Sequence, residues 1–368
     1  MARVRRGGVL IAGGGLSGCL AALALAQHRP DVPLLIVEER ERFGGEGYQQ
    51  WLDAEVEGPE SALVAPLASA RWPGFYVAFP DFSRKLKAAG AGSAPEDMHQ
   101  AMLAALAPNQ MRLGVKVVAV REDALVLDGG EELKAEGAID ARGLAHSSAL
   151  DQRFEARLER RYRLAAPHGV DRPVLIDATG DQGAGFGFFQ VAPLDARRLL
   201  IVDALVADHG QAGEAARARL DRYVALRGWA DAEIESEAMV AWPLPSGGDF
   251  AAFWRIGGAR AARLGLRGGF FHPFTGRRLA DAARAGLLLA RQRDFSGPAL
   301  HDAFEAEAQR LWRGRASLRG LNAGAGRGGE AERQRLAEFF RLDPGLIARF
   351  HADRLGLLDR RKVLKAFA

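Results

Sequence analysis

The stretch that most narrows the folding choices is Val9-Leu10-Ile11-Ala12-Gly13-Gly14-Gly15-Leu16-Ser17-Gly18. Four apolar residues in a row predict a buried strand, and Gly13, Gly15 and Gly18 fit the spacing G-x-G-x-x-G. An Ala- and Leu-rich helix is expected to start at Leu16 and Ser17 and run to about Gln27. A second apolar run, Leu34-Leu35-Ile36-Val37, ends in Glu38 and Glu39, and Glu38 follows Gly18 by 20 residues. Strand, glycine turn, helix, strand and terminal acid together make the βαβ unit that binds dinucleotides. Gly13 permits the tight turn, Gly15 lets the main chain approach a diphosphate, and Gly18 lets helix and strand pack closely. The free N–H groups of the first helical turn would receive the diphosphate, and Glu38 would accept from ribose hydroxyls. The unit alone leaves FAD and NAD both open.

Composition sets further bounds. The chain has 368 residues, 48% hydrophobic and 26% charged, which suits two domains with sizeable cores. Its one cysteine, Cys19, lies inside the first expected helix, so no internal disulfide and no Cys-rich zinc site is predicted. Cys19 reads as a small buried packing residue. No apolar run approaches the ~20 residues of a membrane-spanning helix. The first residues lead straight into a strand instead of a signal peptide, so a cytoplasmic location is expected. Formal net charge is +4, with no nucleic-acid-binding motif, and no nucleic-acid partner is expected. A basic surface suits anionic lipid headgroups, although a GC-rich genome would give the same arginine content.

Further along, Gly44-Gly45 would let a loop pass close to a bound cofactor. Alternation over 71–82 predicts a strand, 88–94 reads as a small-residue loop, and Pro95 starts a helix to about Ala107. Residues 115–120 and 125–127 read as a hairpin with Gly129-Gly130 turning the chain, and 137–143, with Arg142 and Gly143, as a strand closing the cofactor site. Strands are expected at 174–177, 187–191, 198–206 and 237–242, with a helix over 213–228. Residues 255–259 read as a return to the first sheet, and 277–291 as a helix preceded by His272 and a glycine. The tail from Pro298 is helical except for 318–329, which is too glycine-rich for a stable helix. The fold class is α/β: a Rossmann-like FAD-binding domain (1–70, 108–150, 255–295), an inserted, mainly antiparallel substrate domain (71–107, 151–254) and a C-terminal helical region (296–368).

The ordered set of motifs resembles the bacterial lycopene β-cyclases over most of the chain. It includes Ile11-Ala12-Gly13-Gly14-Gly15-Leu16, Phe43-Gly44-Gly45, Arg71-Trp72-Pro73, Ile139-Asp140-Ala141-Arg142-Gly143 and Pro167-His168-Gly169. Arg198-Leu199-Leu200-Ile201, Phe270-Phe271-His272-Pro273 with Thr275-Gly276, and Leu346-Ile347-Ala348-Arg349-Phe350 complete it. The resemblance implies FAD, held in part by Pro273, Thr275 and Gly276, and in its reduced form during the reaction with NADPH as reductant. It implies closure of the ends of a linear carotenoid or other isoprenoid by protonation, ring closure and proton loss, without net oxidation. It also implies peripheral contact with the inner membrane. Where the family has Glu-Asp-Thr, this chain has Val202-Asp203-Ala204, and where it has Asn-His-Thr-Trp, Glu46-Gly47-Tyr48-Gln49. Asp203 or Glu46 would then replace the missing acid, with His272 as a further candidate. A flavin-dependent monooxygenase or other oxidoreductase on the same scaffold, or a non-catalytic flavin-binding relative, remain alternative readings.

Overall fold

A computed structural model describes residues 8–143, 148–183, 185–208, 213–256, 258, 260–323 and 328–368. The first sheet is parallel throughout. Strand β1 (Val9–Ala12) lies between β2 (Leu34–Val37) and β12 (Gly137–Asp140), and β8 (Met111–Arg112) and β18 (Ala262–Arg263) are the edges. β1, β2 and β12 are buried along their whole length, as strands covered on both faces require, and this is why their sequences are unbroken apolar runs. Helix α1 (Leu16–His28) packs against α7 (Leu279–Ala290). The two approach closely because residue 286 is glycine: a Cβ there would lie 2.7 Å from the Leu20 carbonyl oxygen. A small antiparallel sheet, β9 (Val117–Val120), β10 (Ala124–Leu127) and β11 (Glu132–Lys134), covers the other side.

The second body is built on a seven-stranded sheet ordered β17-β13-β16-β15-β14-β5-β6. Its strands are β5 (Phe75–Phe79), β6 (Phe82–Leu86), β13 (Leu150–Arg163), β14 (Val174–Asp177), β15 (Phe186–Pro193), β16 (Arg198–Ala207) and β17 (Glu233–Gly248). All neighbours are antiparallel except β14 and β5. One face packs on α4 (Glu214–Leu226) through Leu158, Leu199, Ile201, Leu220 and Val224. The opposite face, with Leu200, Val202 and Ala204, meets the C-terminal helices α9 (Ala316–Ala323), α10 (Gly329–Phe340), α11 (Pro344–His351) and α12 (Leu357–Ala366). Helices α2 (Pro59–Val64), α3 (Pro95–Ala105), α5 (Phe250–Arg255), α6 (Gly265–Gly268) and α8 (Gly297–Gly314) are the remaining described α-helices, and a fourth, small sheet is formed by β3 (Gln49–Leu52), β7 (Gly90–Ser93) and β4 (Ala70–Trp72).

Four expectations need correction. Residues 90–93, expected within a loop, form the central strand β7 of that fourth sheet, buried throughout. Its residues are small because aromatic rings occupy the space: a Cβ on Gly90 would lie 2.7 Å from the Phe75 ring. The strand expected over 255–259 starts later, at Ala262; Arg255 ends α5, Ile256 is in a turn, and Gly257 and Ala259 lie outside the described residues. Of the glycine-rich run, Leu318 to Ala323 are helical in α9, anchored by buried Leu318 and Leu321. Gly329 opens α10, while 324–327 lie outside the described residues. Strand β13, second from the edge of the large sheet, shows no apolar alternation because its inner positions are charged, and no strand is expected there from sequence.

Candidate functional site

The turn after β1 opens a groove of about 590 Å³, within the range of ligand pockets. Gly13 has φ +102°, and a Cβ there would lie 2.8 Å from the main chain of Ala141 on the neighbouring strand's end, so only glycine suits it. Gly15, by contrast, caps α1 and has nothing within 4 Å of its Cβ position: its missing side chain is open groove. The N-terminus of α1 therefore presents bare main chain with no acidic residue in its first turn, an environment suited to an anion. Glu38 is buried at the end of β2, where its carboxylate accepts from Gly14 N–H at 2.5 Å and Arg40 N–H at 3.1 Å. Gly44 N–H donates to the Gly14 carbonyl at 2.9 Å, which ties the second glycine loop to the first. Arg142 is fixed by two bonds to Asp140, at 2.9 and 2.7 Å, and one to the Val117 carbonyl at 2.8 Å.

Beyond strand β17 lies a second, mainly apolar cavity. Phe186, Phe188, Trp242, Leu244, Phe339, Phe340 and Phe350 form most of its wall, and Glu155, Arg277, Glu332 and His351 are its ionisable members. Glu155 belongs to a buried charged row on β13. Because side chains alternate along a strand, Glu155, Arg157 and Glu159 share one face. Arg157 donates to Glu155 at 2.5 Å, to Glu159 at 3.0 Å and to Gln190 at 2.8 Å, and its guanidinium lies 3.9 Å from the Trp242 ring centre. Glu159 also accepts from Tyr48 N–H at 2.9 Å, which fixes its carboxyl from a second side. Burial raises the Glu155 carboxyl above its usual range, against the pull of Arg157. Burial likewise lowers Arg278, which lines the groove and has an unpartnered Nε, to about 10.

Of the residues singled out from sequence, Gly13, Gly15, Leu16, Ser17, Glu38, Gly44, Gly45, Arg142 and Gly143 all line the groove. Gly18 lies one turn inside α1, against the Gly13 carbonyl, where a Cβ would collide. Pro273, Thr275 and Gly276 do not line the groove. Thr275 faces the apolar cavity, Pro273 a small crevice beside Trp312, and Gly276 (φ +65°) makes a turn against Trp242. The cause is His272, whose Nδ1 accepts from Phe274 and Thr275 N–H at 3.3 and 3.2 Å while Nε2 bonds the Phe350 carbonyl at 3.2 Å. That imidazole is fully employed in shaping a loop, and burial lowers it to about 4, so it is not placed to act on a ligand.

The two acidic candidates are displaced as well. Asp203 points to the α4 side of β16, where Arg219 donates to it at 2.8 Å, while its neighbour Val202 faces the cavity side. A period of two makes this unavoidable. Glu46 is half-exposed at the groove rim and paired with Arg40 at 2.7 Å. Sequence reasoning missed Lys116, Met239, Val240, Ala241, Gly265, Leu266, Arg267 and Arg278 in the groove, and Glu155 and His351 in the cavity. Gly265 (φ +58°), following an edge strand and opening α6, was a readable signal; the others carry no local mark.

The profile of the lycopene cyclase protein family matches residues 8–366. Lycopene beta-cyclase of Pseudescherichia vulneris is 33% identical over 361 residues, covering 97% of this chain and 92% of that protein. Lycopene beta-cyclase of Pantoea ananas is 32% identical over 359 residues, covering 97% and 93%. Among solved structures, a geranylgeranyl bacteriochlorophyll reductase-like protein of Thermoplasma acidophilum superposes with a TM-score of 0.65 at 16% identity, covering 98% of this chain and 95% of that one. A variant of HpxO from Klebsiella pneumoniae, complexed with FAD, gives 0.62 at 15% identity, covering 98% of each chain. The chain shares its fold with these two structures, one of them solved with FAD, and by sequence along nearly its whole length it belongs to the lycopene cyclase family.

Proposed function

We propose that this chain closes the end of a linear carotenoid or related isoprenoid into a ring, by an acid-initiated, redox-neutral reaction in which Glu155 is the proton donor. The observation that carries this reading is a buried carboxyl with a raised pKa in the wall of a mainly apolar cavity. An alkene is a weak base. Only a neutral acid shielded from water protonates it, and water must stay out of reach of the resulting cation. The wall is rich in aromatic rings, whose negative quadrupole favours a cation. Glu159, with its donors from Arg157 and Tyr48, shares the Arg157 guanidinium with Glu155.

The groove fits FAD: the space beside Gly15 and Gly143 is open at their Cβ positions, and Glu38 is fixed where a ribose is read. Gly13, Gly15, Leu16, Ser17, Gly44 and Gly45 would hold the diphosphate side, and Gly265, Leu266 and Arg278 the far end. When bound in its reduced form, with NADPH as reductant, the flavin supplies negative charge that stabilises a nearby cation. No described helix is long and apolar enough to cross a membrane. Peripheral contact is proposed through α12, where exposed Leu357, Leu358 and Leu364 stand among Arg360, Arg361, Lys362 and Lys365, a pairing suited to an anionic bilayer.

Glu155→Gln keeps the shape and removes the proton. Ring formation from lycopene supplied in detergent micelles should fall about 100-fold or more while thermal stability and flavin content hold. Undiminished cyclisation would remove Glu155 from the role, and NADPH-dependent oxygen consumption without ring products would favour a monooxygenase. Leu357→Asp with Leu358→Asp should abolish cosedimentation with phosphatidylglycerol vesicles; unchanged binding would move the contact elsewhere.

A further inference from the structure

Two buried histidines stand close to the apolar cavity, and they are in opposite conditions. His272 uses both ring nitrogens, as described above. His351, the last residue of α11, is equally enclosed and lines the cavity, yet neither Nδ1 nor Nε2 has a hydrogen-bond partner. Leaving buried polar atoms unpaired is destabilising, because they lose their bonds to water and gain none in return. An apolar side chain would fill the same space without that cost, so the imidazole is tied to something the cavity receives. Burial holds the ring well below the usual imidazole range, with Arg277 and then His272 acting in the same direction. At neutral pH it is therefore an uncharged base with a free lone pair, facing the same enclosed space as Glu155.

We infer that His351 is the base that removes the proton from the cyclised cation, an inference that rests on the cyclase reading above. Glu155 transfers its proton to the inner CH carbon of the terminal double bond, leaving a tertiary cation on the outer carbon that bears the two methyl groups. The π pair of the next double bond attacks that cation, forming the ring bond and a new tertiary cation inside the ring. The His351 lone pair takes the hydrogen from the adjacent ring carbon, and the C–H electron pair becomes the ring double bond. The imidazolium then returns a proton to the Glu155 carboxylate. No electron or proton is gained or lost overall, and both groups are reset. The pairing also answers the electrostatic difficulty of charging a buried histidine: it becomes cationic only after Glu155 has become anionic in the same cavity.

A cation with several adjacent hydrogens gives different double-bond isomers, and the position of the base selects among them. The test compares the native protein with His351→Phe and His351→Asn, both loaded with flavin and given lycopene in micelles, with products resolved by chromatography and mass spectrometry. The native protein should give one ring isomer. The variants should still consume substrate but give mixed double-bond isomers and alcohols from water capture, with the native isomer formed about 100-fold more slowly. A merely structural residue would lower the rate without changing the product ratio. An unchanged ratio in both variants overturns the inference and leaves the cyclase reading intact. If the native protein forms no ring, the cyclase reading fails and this inference with it. His351→Asn guards against misfolding of the bulkier variant, and matching thermal unfolding curves certify the comparison.

Discussion

The groove and the cavity share strand β17, with Met239 to Ala241 lining the first and Trp242 and Leu244 the second, yet they are made by opposite means. The groove is largely a surface of main chain. Its shape depends on where side chains are missing, and the residues responsible are consecutive in sequence. The cavity is a surface of side chains delivered by strands of the large sheet, three helices and a loop, with partners such as Tyr48 and Glu159 standing 111 residues apart. Removing atoms makes a seat for a rigid anionic ligand at small entropic cost. Holding a buried carboxyl and an imidazole without hydrogen-bond partners among aromatic rings requires long-range packing.

The contrast can be broken first at two glycines. Gly13→Val forces a side chain into a positive φ and into the Ala141 main chain, so it should destabilise the protein by about 3 kcal/mol or more and leave it colourless. Gly15→Val meets no protein atom and should leave the melting temperature nearly unchanged, yet weaken flavin binding about 100-fold in a fluorescence titration. Equal losses of stability in the two variants would show that the groove is not main-chain-built as described.

The cavity side is sharpened by pH. His272 is neutral when folded, and unfolding lets it take up a proton below about 6.5, so native stability should fall as pH drops from there through about 4. The full effect corresponds to about 3 kcal/mol. Denaturant titrations should therefore show the gap between the native protein and His272→Asn narrowing across that window; a constant gap would mean that the ring is not held neutral. The smallest effect is expected at Asp203. Asp203→Asn disturbs one ion pair to a partly exposed arginine on the face away from the cavity, so it should cost about 1 kcal/mol and leave ring formation within about twofold. Loss of activity there would return Asp203 to the role of acid.

These differences explain what could be read in advance. Gly13, Gly15 and Glu38 were legible because the requirement at each is local: a positive φ, an open approach, a strand end. At Pro273, Thr275 and Gly276 the local signal is two-sided, because a glycine before a helix serves equally to bring a flavin near or to turn a chain around an indole, and the contact of Gly276 with Trp242, 34 residues earlier, is not written in the neighbouring sequence. Strand β13 was invisible because alternation was sought in apolar residues. The alternation is present in Glu155, Arg157 and Glu159, but a charged row looks like a solvated surface until Gln190 and Trp242 are brought against it. His351 had no signal beyond its identity.

Trp242 closes one side of the apolar cavity, and its ring also lies 5.6 Å from the guanidinium of Arg278, which lines the groove. The two chambers therefore have a party wall. Efforts to enlarge the substrate space for bulkier polyenes by trimming the indole would unseat a cation on the far side, and selection for a new product would also be selection on cofactor affinity.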